Sequence, residues 1–269
     1  VKVVKGRKAK IDVASFGGLL LGAGCILAAQ LLEGGSPRSI VHLTAAVIVF
    51  GGTIGATLVS FPRAQVGQAV AALRSVFRER EDDAAPIAEA LVRYARVARA
   101  HGMMALDEHA DRQPDALLQK ALRLAVDGTE ARHLRQIVAL EISNDEERNL
   151  APARVFEALG GYAPTFGIVG AVLGLIHVME NLSEPGSLGA GIATAFVATV
   201  YGVGAANLVF LPMASKLRDR AERTAVRGEM ILEGVLAIQE GLSPRLVEEK
   251  LLTYRPATSA RAGRVGRAA

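Results

Sequence analysis

Hydrophobic positions along this chain gather into four windows, 13–32, 39–61, 163–179 and 188–211, none of which contains an Asp, Glu, Lys or Arg. A membrane crossing takes about 20 mostly apolar residues, because the hydrocarbon core is about 30 Å thick. Each window is therefore predicted to be a membrane-spanning helix. The third reaches full length only when Tyr162 and Asn181-Leu182 are counted with it. Between and beyond the windows the pattern changes to short amphipathic segments. Val66, Val70, Leu73 and Phe77 fall at helical spacing around 67–80. Pro86 opens a helix over 87–99 with Gly102 near its end, and Pro114 opens another over 115–126 that stops at Asp127-Gly128. Thr129 is placed to cap a long helix through Arg148 that leads towards the third span. After the fourth span a polar helix over 214–240 ends at Gly241, and Pro244 starts a short one through Leu252.

The predicted fold is all-α: a polytopic membrane protein with four transmembrane helices and a helical cytoplasmic domain. Its divisions are a cytoplasmic N-terminus 1–12, spans one and two within 13–61, and a cytoplasmic helical domain 62–157. Spans three and four lie within 158–213, followed by cytoplasmic C-terminal helices 214–254. A basic tail, 255–269, has little apolar to bury and reads as disordered. No internal repeat is visible.

Charge supplies the orientation. Of the 269 residues 51% are hydrophobic and 22% charged, with a net charge of +4. The basic residues cluster at Lys2–Lys10, at Arg63, Arg74, Arg78 and Arg80, and at Lys216, Arg218, Arg220 and Arg223. The link between spans one and two holds only Glu33 and Arg38, and the link between spans three and four holds Glu180 and Glu184 with no base. Lysine and arginine accumulate on the cytoplasmic side, so both termini and the central domain are expected there, in a bacterial inner membrane. The excess positive charge then faces anionic lipid headgroups. It does not indicate nucleic-acid binding, since no aromatic stacking motif interleaves the basic residues. A basic start followed by an apolar run also fits a signal peptide, but the run is long and no small-residue cleavage site precedes Glu33, so a retained span is expected. The lone Cys25 lies inside that span and reads as a small packing residue.

The spans carry unusual amounts of glycine: Gly17, Gly18, Gly22 and Gly24 in the first, Gly51 and Gly55 in the second, Gly167, Gly170 and Gly174 in the third, Gly202 and Gly204 in the fourth. Small residues let membrane helices approach closely, either within one bundle or towards another subunit. A charge at the bilayer centre costs about 2.5–3.5 kcal/mol and is kept for function. Here the interiors of spans three and four contain none; His177 and Glu180 fall near the outer end of the third, His42 near that of the second. Any ion carried must therefore use a group from another polypeptide. What these spans do offer is Thr165, Thr194, Thr199, Tyr201 and Asn207. Hydroxyls line a hydrated path or bond their own helix one turn back. Pro164 and Pro212 stand at the inner ends of spans three and four. Pro164 reads as a helix start at N1, Pro212 as a helix stop, or the two together as a flexible gate. No nucleophile elbow, phosphate loop or metal-ligand cluster is present, so neither an enzyme nor a cofactor is expected.

These residues resemble a family. The stretch Gly161-Tyr162-Ala163-Pro164-Thr165-Phe166-Gly167-Ile168-Val169-Gly170 with Leu173-Gly174-Leu175-Ile176 is similar to the third span of MotA and PomA stator proteins, in the MotA/TolQ/ExbB proton channel family. Asn181-Leu182-Ser183-Glu184-Pro185, then Ala198-Thr199-Val200-Tyr201-Gly202 and Asn207-Leu208-Val209-Phe210-Leu211-Pro212, continue the likeness, which covers most of residues 11–252. It implies a flagellar motor stator: several copies of this chain in a ring around two MotB-like subunits. Each MotB-like subunit contributes one membrane helix with an ion-carrying aspartate, and the ring pushes on the rotor protein FliG. Pro164 and Pro212 then occupy the family's functional proline positions, and Thr199 that of the fourth-span threonine facing the ion site. A TolQ- or ExbB-like energiser of envelope proteins is the alternative reading, and a non-conducting membrane scaffold an alternative of another class.

Sodium-driven members carry a second threonine in span three, where this chain has Ala171. Sodium needs several oxygen ligands to replace its hydration shell, whereas a proton needs a carboxylate and water. The transported ion is therefore expected to be H+. For the rotor contact the resemblance points to Arg99 and Asp107, with Glu108 sharing the role, although an ordinary solvated face gives the same charges.

Overall fold

The computed structural model describes residues 10–76, 78, 79, 84–181, 183 and 185–254. The tail 255–269, read above as disordered, and most of the N-terminus 1–12 lie outside the described residues. The chain divides into two compact units, Val1–Arg80 with Asn149–Asp219, and Glu81–Arg148 with Arg220–Ala269. Four stretches among the described residues are long and apolar enough to cross a membrane.

In the first unit, α1 spans Val13–Leu32, and Asp12 caps it by accepting the Ser15 N–H at 3.1 Å. A single 3-10 turn, Pro37–Ile40, leads into span two. That span begins as α2 (Leu43–Ala46), widens into a π-turn over Val47–Gly51, and ends as α3 (Gly52–Ser60). After Pro62, α4 covers Arg63–Val76. A minimal antiparallel pairing joins β1 (Lys10–Ile11) to β2 (Arg78–Glu79), in the register Lys10 with Glu79 and Ile11 with Arg78. One buried cluster includes Ala69, Val76, Val155, Phe156 and Leu217; another holds Ala45, Val49, Val197 and Ala198 under Tyr201. The remaining apolar surface faces outward: Leu20, Leu21 and Phe196 are each 71% exposed, as side chains in contact with lipid or another subunit must be.

The second unit is built from α5 (Ala84–His101), a 3-10 turn Met103–Leu106, α6 (Asp107–Asp111), α7 (Ala116–Val126), part of α8 (Ala131–Glu180), part of α10 (Leu211–Gln239) and α11 (Pro244–Leu252). Asp115 and Ser243 cap α7 and α11 through the Leu118 and Leu246 N–H groups. Gly128 ends α7 and Gly241 ends α10, each at φ above +70°, a conformation that favours glycine. Leu91, Leu106, Leu118, Leu122, Leu134, Met230, Ile231 and Leu236 are almost fully buried in one core.

Three corrections concern helix ends. The helix expected from Thr129 to Arg148 and span three form one continuous helix, α8, Ala131–Glu180, with Pro152 and Pro164 inside it. Pro164 is therefore not a helix start. A proline ring collides with the carbonyl four residues back and leaves it without a donor; here that residue is Gly160, which has no side chain to add to the crowding. Likewise Pro212 does not end span four. Helix α9 (Pro185–Gly204) opens into a π-turn at Ala205–Phe210 and resumes as α10, Leu211–Gln239. The widened turn bonds the Leu211 N–H to Ala206 O, five residues back, which makes room for the proline ring. Thr129, expected as a cap, lies two residues ahead of α8, and its carbonyl accepts the Gln239 side-chain amide at 2.6 Å.

Candidate functional site

Spans three and four meet backbone to backbone. A Cβ built on Gly174 would lie 2.8 Å from both the Ala195 nitrogen and the Gly191 carbonyl oxygen. One on Gly167 would lie 3.0 Å from Ala198 O and 3.4 Å from the Thr199 Cα, and one on Gly202 would lie 3.1 Å from the Cα atoms of Gly167 and Pro164. Any side chain at these three positions would separate the helices, so glycine here makes the interface itself. Span two joins the same seam. The Phe166 ring lies over Gly52, and Ile48 packs near Gly170.

Polar groups along the seam are largely satisfied within their own helices. Thr165 donates to Tyr162 O at 2.7 Å, Thr199 to Ala195 O at 3.2 Å, Thr194 to Ala190 O at 2.9 Å, and Asn207 to Val203 O at 2.9 Å. In span two Thr53 and Thr57, 1% and 3% exposed, bond Val49 O and Thr53 O. Such bonds leave an oxygen lone pair free to meet a further donor. Spans two and four are also tied across: the Tyr201 hydroxyl donates to Ile40 O at 2.6 Å and accepts the His42 N–H at 3.2 Å, while Thr194 Oγ1 lies 3.3 Å from His42 Nδ1.

Pro164 and Thr199 thus share the seam, Pro164 in α8 and Thr199 in α9. Ala171, half-buried, follows Gly170 on α8. Pro212, exposed, stands just past the π-turn. The expected rotor residues belong to the second unit. Arg99 is in the last turn of α5, Asp107 and Glu108 in the first turn of α6, and all three are exposed. Glu108 pairs loosely with Arg112 at 3.5 Å. These charges suit their helix ends electrostatically. The cross-links His42–Tyr201 and Asp12–Lys216 are absent from the sequence reading. Asp12 three residues ahead of Ser15 at the start of span one is the local signal for half of the second; nothing local marks Lys216 as its partner.

Elsewhere in the second unit Glu233 bridges two bases. It accepts from Arg135 at 2.6 Å and from Lys250 at 2.5 Å. Burial pushes its carboxyl up, but the hydrogen bonds from Lys250 and Arg135 and their charges outweigh this and hold it below the ordinary glutamate value.

Comparison with known proteins agrees with this architecture. Residues 109–230 match the MotA/TolQ/ExbB proton channel family. Motility protein A of Bacillus subtilis is 33% identical over 251 residues, covering 92% of each chain, and the uncharacterised protein YtxD of the same organism is 36% identical, covering 81% of this chain and 80% of YtxD. A chain in the structure of C. jejuni MotAB superposes with a TM-score of 0.86 at 29% identity, over 92% of this chain and 97% of that one. The chain belongs to the MotA/TolQ/ExbB proton channel family, as a multi-pass inner-membrane protein of the motility protein A type.

Proposed function

We propose that this chain, with a MotB-like single-span partner, couples proton flow across the inner membrane to torque on the flagellar rotor. Copies of the chain assemble into a ring around the partner, both termini face the cytoplasm, and the second unit acts on FliG through Arg99, Asp107 and Glu108. The observation that carries this reading is the seam of α8 and α9. It is held by glycine backbone contact, presents hydroxyls, and has no Asp, Glu, Lys or Arg in its interior, so the ion carrier belongs to another chain. Thr199 is the hydroxyl nearest to that role. With its proton given to Ala195 O, its oxygen remains an acceptor for a protonated carboxyl. Ala171 adds no further oxygen, which favours H+ over sodium.

The test is complementation of a stator-deleted strain with this chain and its one-span partner, recording swimming against external sodium and pH. Swimming is expected to be independent of sodium in the unmodified protein and to fall in Thr199→Ala. Swimming that scales with sodium would overturn the proton assignment, and failure to drive any motor would overturn the stator reading.

A further inference from the structure

Span one has no buried residue among its described positions, and so it packs only lightly on its own chain. Yet this end of the chain meets the continuation of span four both within the π-turn, at Leu208, and beyond Pro212, at Lys216. Before the proline, the Leu208 side chain lies over Gly22: a Cβ on Gly22 would come within 2.7 Å of Leu208 Cδ2. After it, Lys216 Nζ donates to both Asp12 and Ser15 Oγ, while Asp12 also caps α1. The stretch between these two contacts holds the end of the π-turn and Pro212. The π-turn displaces the regular hydrogen bonds of 205–210, and Pro212 has no N–H to offer the preceding turn. A bend between Leu208 and Lys216 changes the distance separating them, and so it stretches one of the two ties to α1. The pairing of Lys10 and Ile11 with Glu79 and Arg78 anchors the chain immediately before Asp12.

Resting on the stator reading, we infer that Asp12 and Lys216 are positioning residues. They form a latch that fixes the resting angle of the helix at Pro212, and with it the place of α9 against the ion path. The latch sits at the end of span one, outside the apolar window. Hydrogen bonds from Lys216 and Ser15 hold the Asp12 carboxyl well below the ordinary aspartate range, so it stays charged at any physiological pH.

The experiment uses the full chain with its partner in the stator-deleted strain. Rotation speed per incorporated stator is read from the stepwise restart of single motors, alongside membrane abundance. Asp12→Asn and Lys216→Gln should each lower per-stator speed about twofold, within the small shift in an equilibrium that one exposed ion pair commands. Lys216→Arg should keep the speed, and the exchange Asp12→Lys with Lys216→Asp should recover most of what the single changes lose. Unchanged per-stator speed in both single variants overturns the latch, as does an exchange that accumulates normally but turns no better than the worse single. If the single variants fail to accumulate, the exchange decides alone: recovery of accumulation and speed supports the latch, and recovery of neither overturns it. A second measurement needs no motor. Ser15→Cys with Lys216→Cys, in a Cys25→Ser background, should cross-link through a short bismaleimide in intact membranes; no cross-link overturns the latch. A cross-link with a motor that never turns, even for the unmodified chain, instead refutes the stator reading.

Discussion

The two units solve the same packing problem with opposite materials. In the first, α8 and α9 are held by what their residues lack: Gly167, Gly174, Gly191 and Gly202 bring backbone against backbone, while larger apolar side chains such as Ile168, Leu175 and Phe196 are exposed. In the second, the core is filled by Leu91, Leu118, Leu122, Ile231 and Leu236, while charges pair on its surface. Water explains the contrast. Burying a leucine gains about 2 kcal/mol where the alternative is water and almost nothing where the alternative is lipid, so membrane helices gain from close approach instead. A side chain added at the seam is then the severest change, whereas a side chain shortened is the severest change in the other core.

The largest effect is therefore expected at Gly174. Gly174→Leu places atoms where Ala195 N and Gly191 O already lie, and no neighbouring side chain can move aside. Swimming should be abolished, with the partner lost on co-purification. Normal motility in this variant would break the comparison at its base. Leu236→Ala in the second unit should cost about 2–5 kcal/mol, the range for emptying a packed site. The check is the thermal unfolding of the purified complex, in which a Leu→Ala change at outward-facing Leu175, 53% exposed, should shift the midpoint far less.

How much of this was legible follows from the same physics. The four spans could be read because a charge in hydrocarbon is costly and its absence leaves a mark on the sequence. The glycines announced close packing, but which ones face each other depends on helix rotation, and Gly17, Gly18 and Gly24 in span one meet nothing within 4 Å. Pro164 and Pro212 were misleading as boundaries. Each is accommodated by its neighbours, Gly160 in one case and a π-turn in the other, and a π-turn leaves no periodic trace in one sequence. Asp12 and Lys216 are 204 positions apart, so only the fold could pair them. The rotor residues are a different case. Arg99, Asp107 and Glu108 stood out through resemblance alone, because on composition they are three charges at a helix corner.

A smaller effect tests the polar side of the second unit. Glu233 is depressed below its ordinary value of 4.5 by Lys250 and Arg135 against the opposing pull of burial. A depressed folded-state value means that the native fold binds the proton less readily than the unfolded chain. The stabilisation is thus fully present above about pH 4.5 and fades as pH falls through the lower folded value. Glu233→Gln should cost about 1 kcal/mol at neutral pH, given how exposed the partner Arg135 is. The gap between variant and parent should close under acid. A gap that stays constant from pH 7 to the acid limit would assign the loss to packing instead.

The smallest expected change in stability is at Arg99, and it sharpens the comparison most. Arg99 is exposed and carries no ion pair among the described residues, so its reversal to Glu should alter stability by no more than about 0.5 kcal/mol. The last-turn position adds a small penalty, since an acid there opposes the helix dipole. If the second unit were only a scaffold, motility would follow stability and barely change. If Arg99 pushes on the rotor, Arg99→Glu should impair swimming at unchanged abundance and melting temperature, and reversal of one rotor acid should restore part of it. The two quantities move together for every core residue in this unit and should separate at Arg99. No rescue by any rotor partner would return Arg99, Asp107 and Glu108 to the status of an ordinary solvated corner.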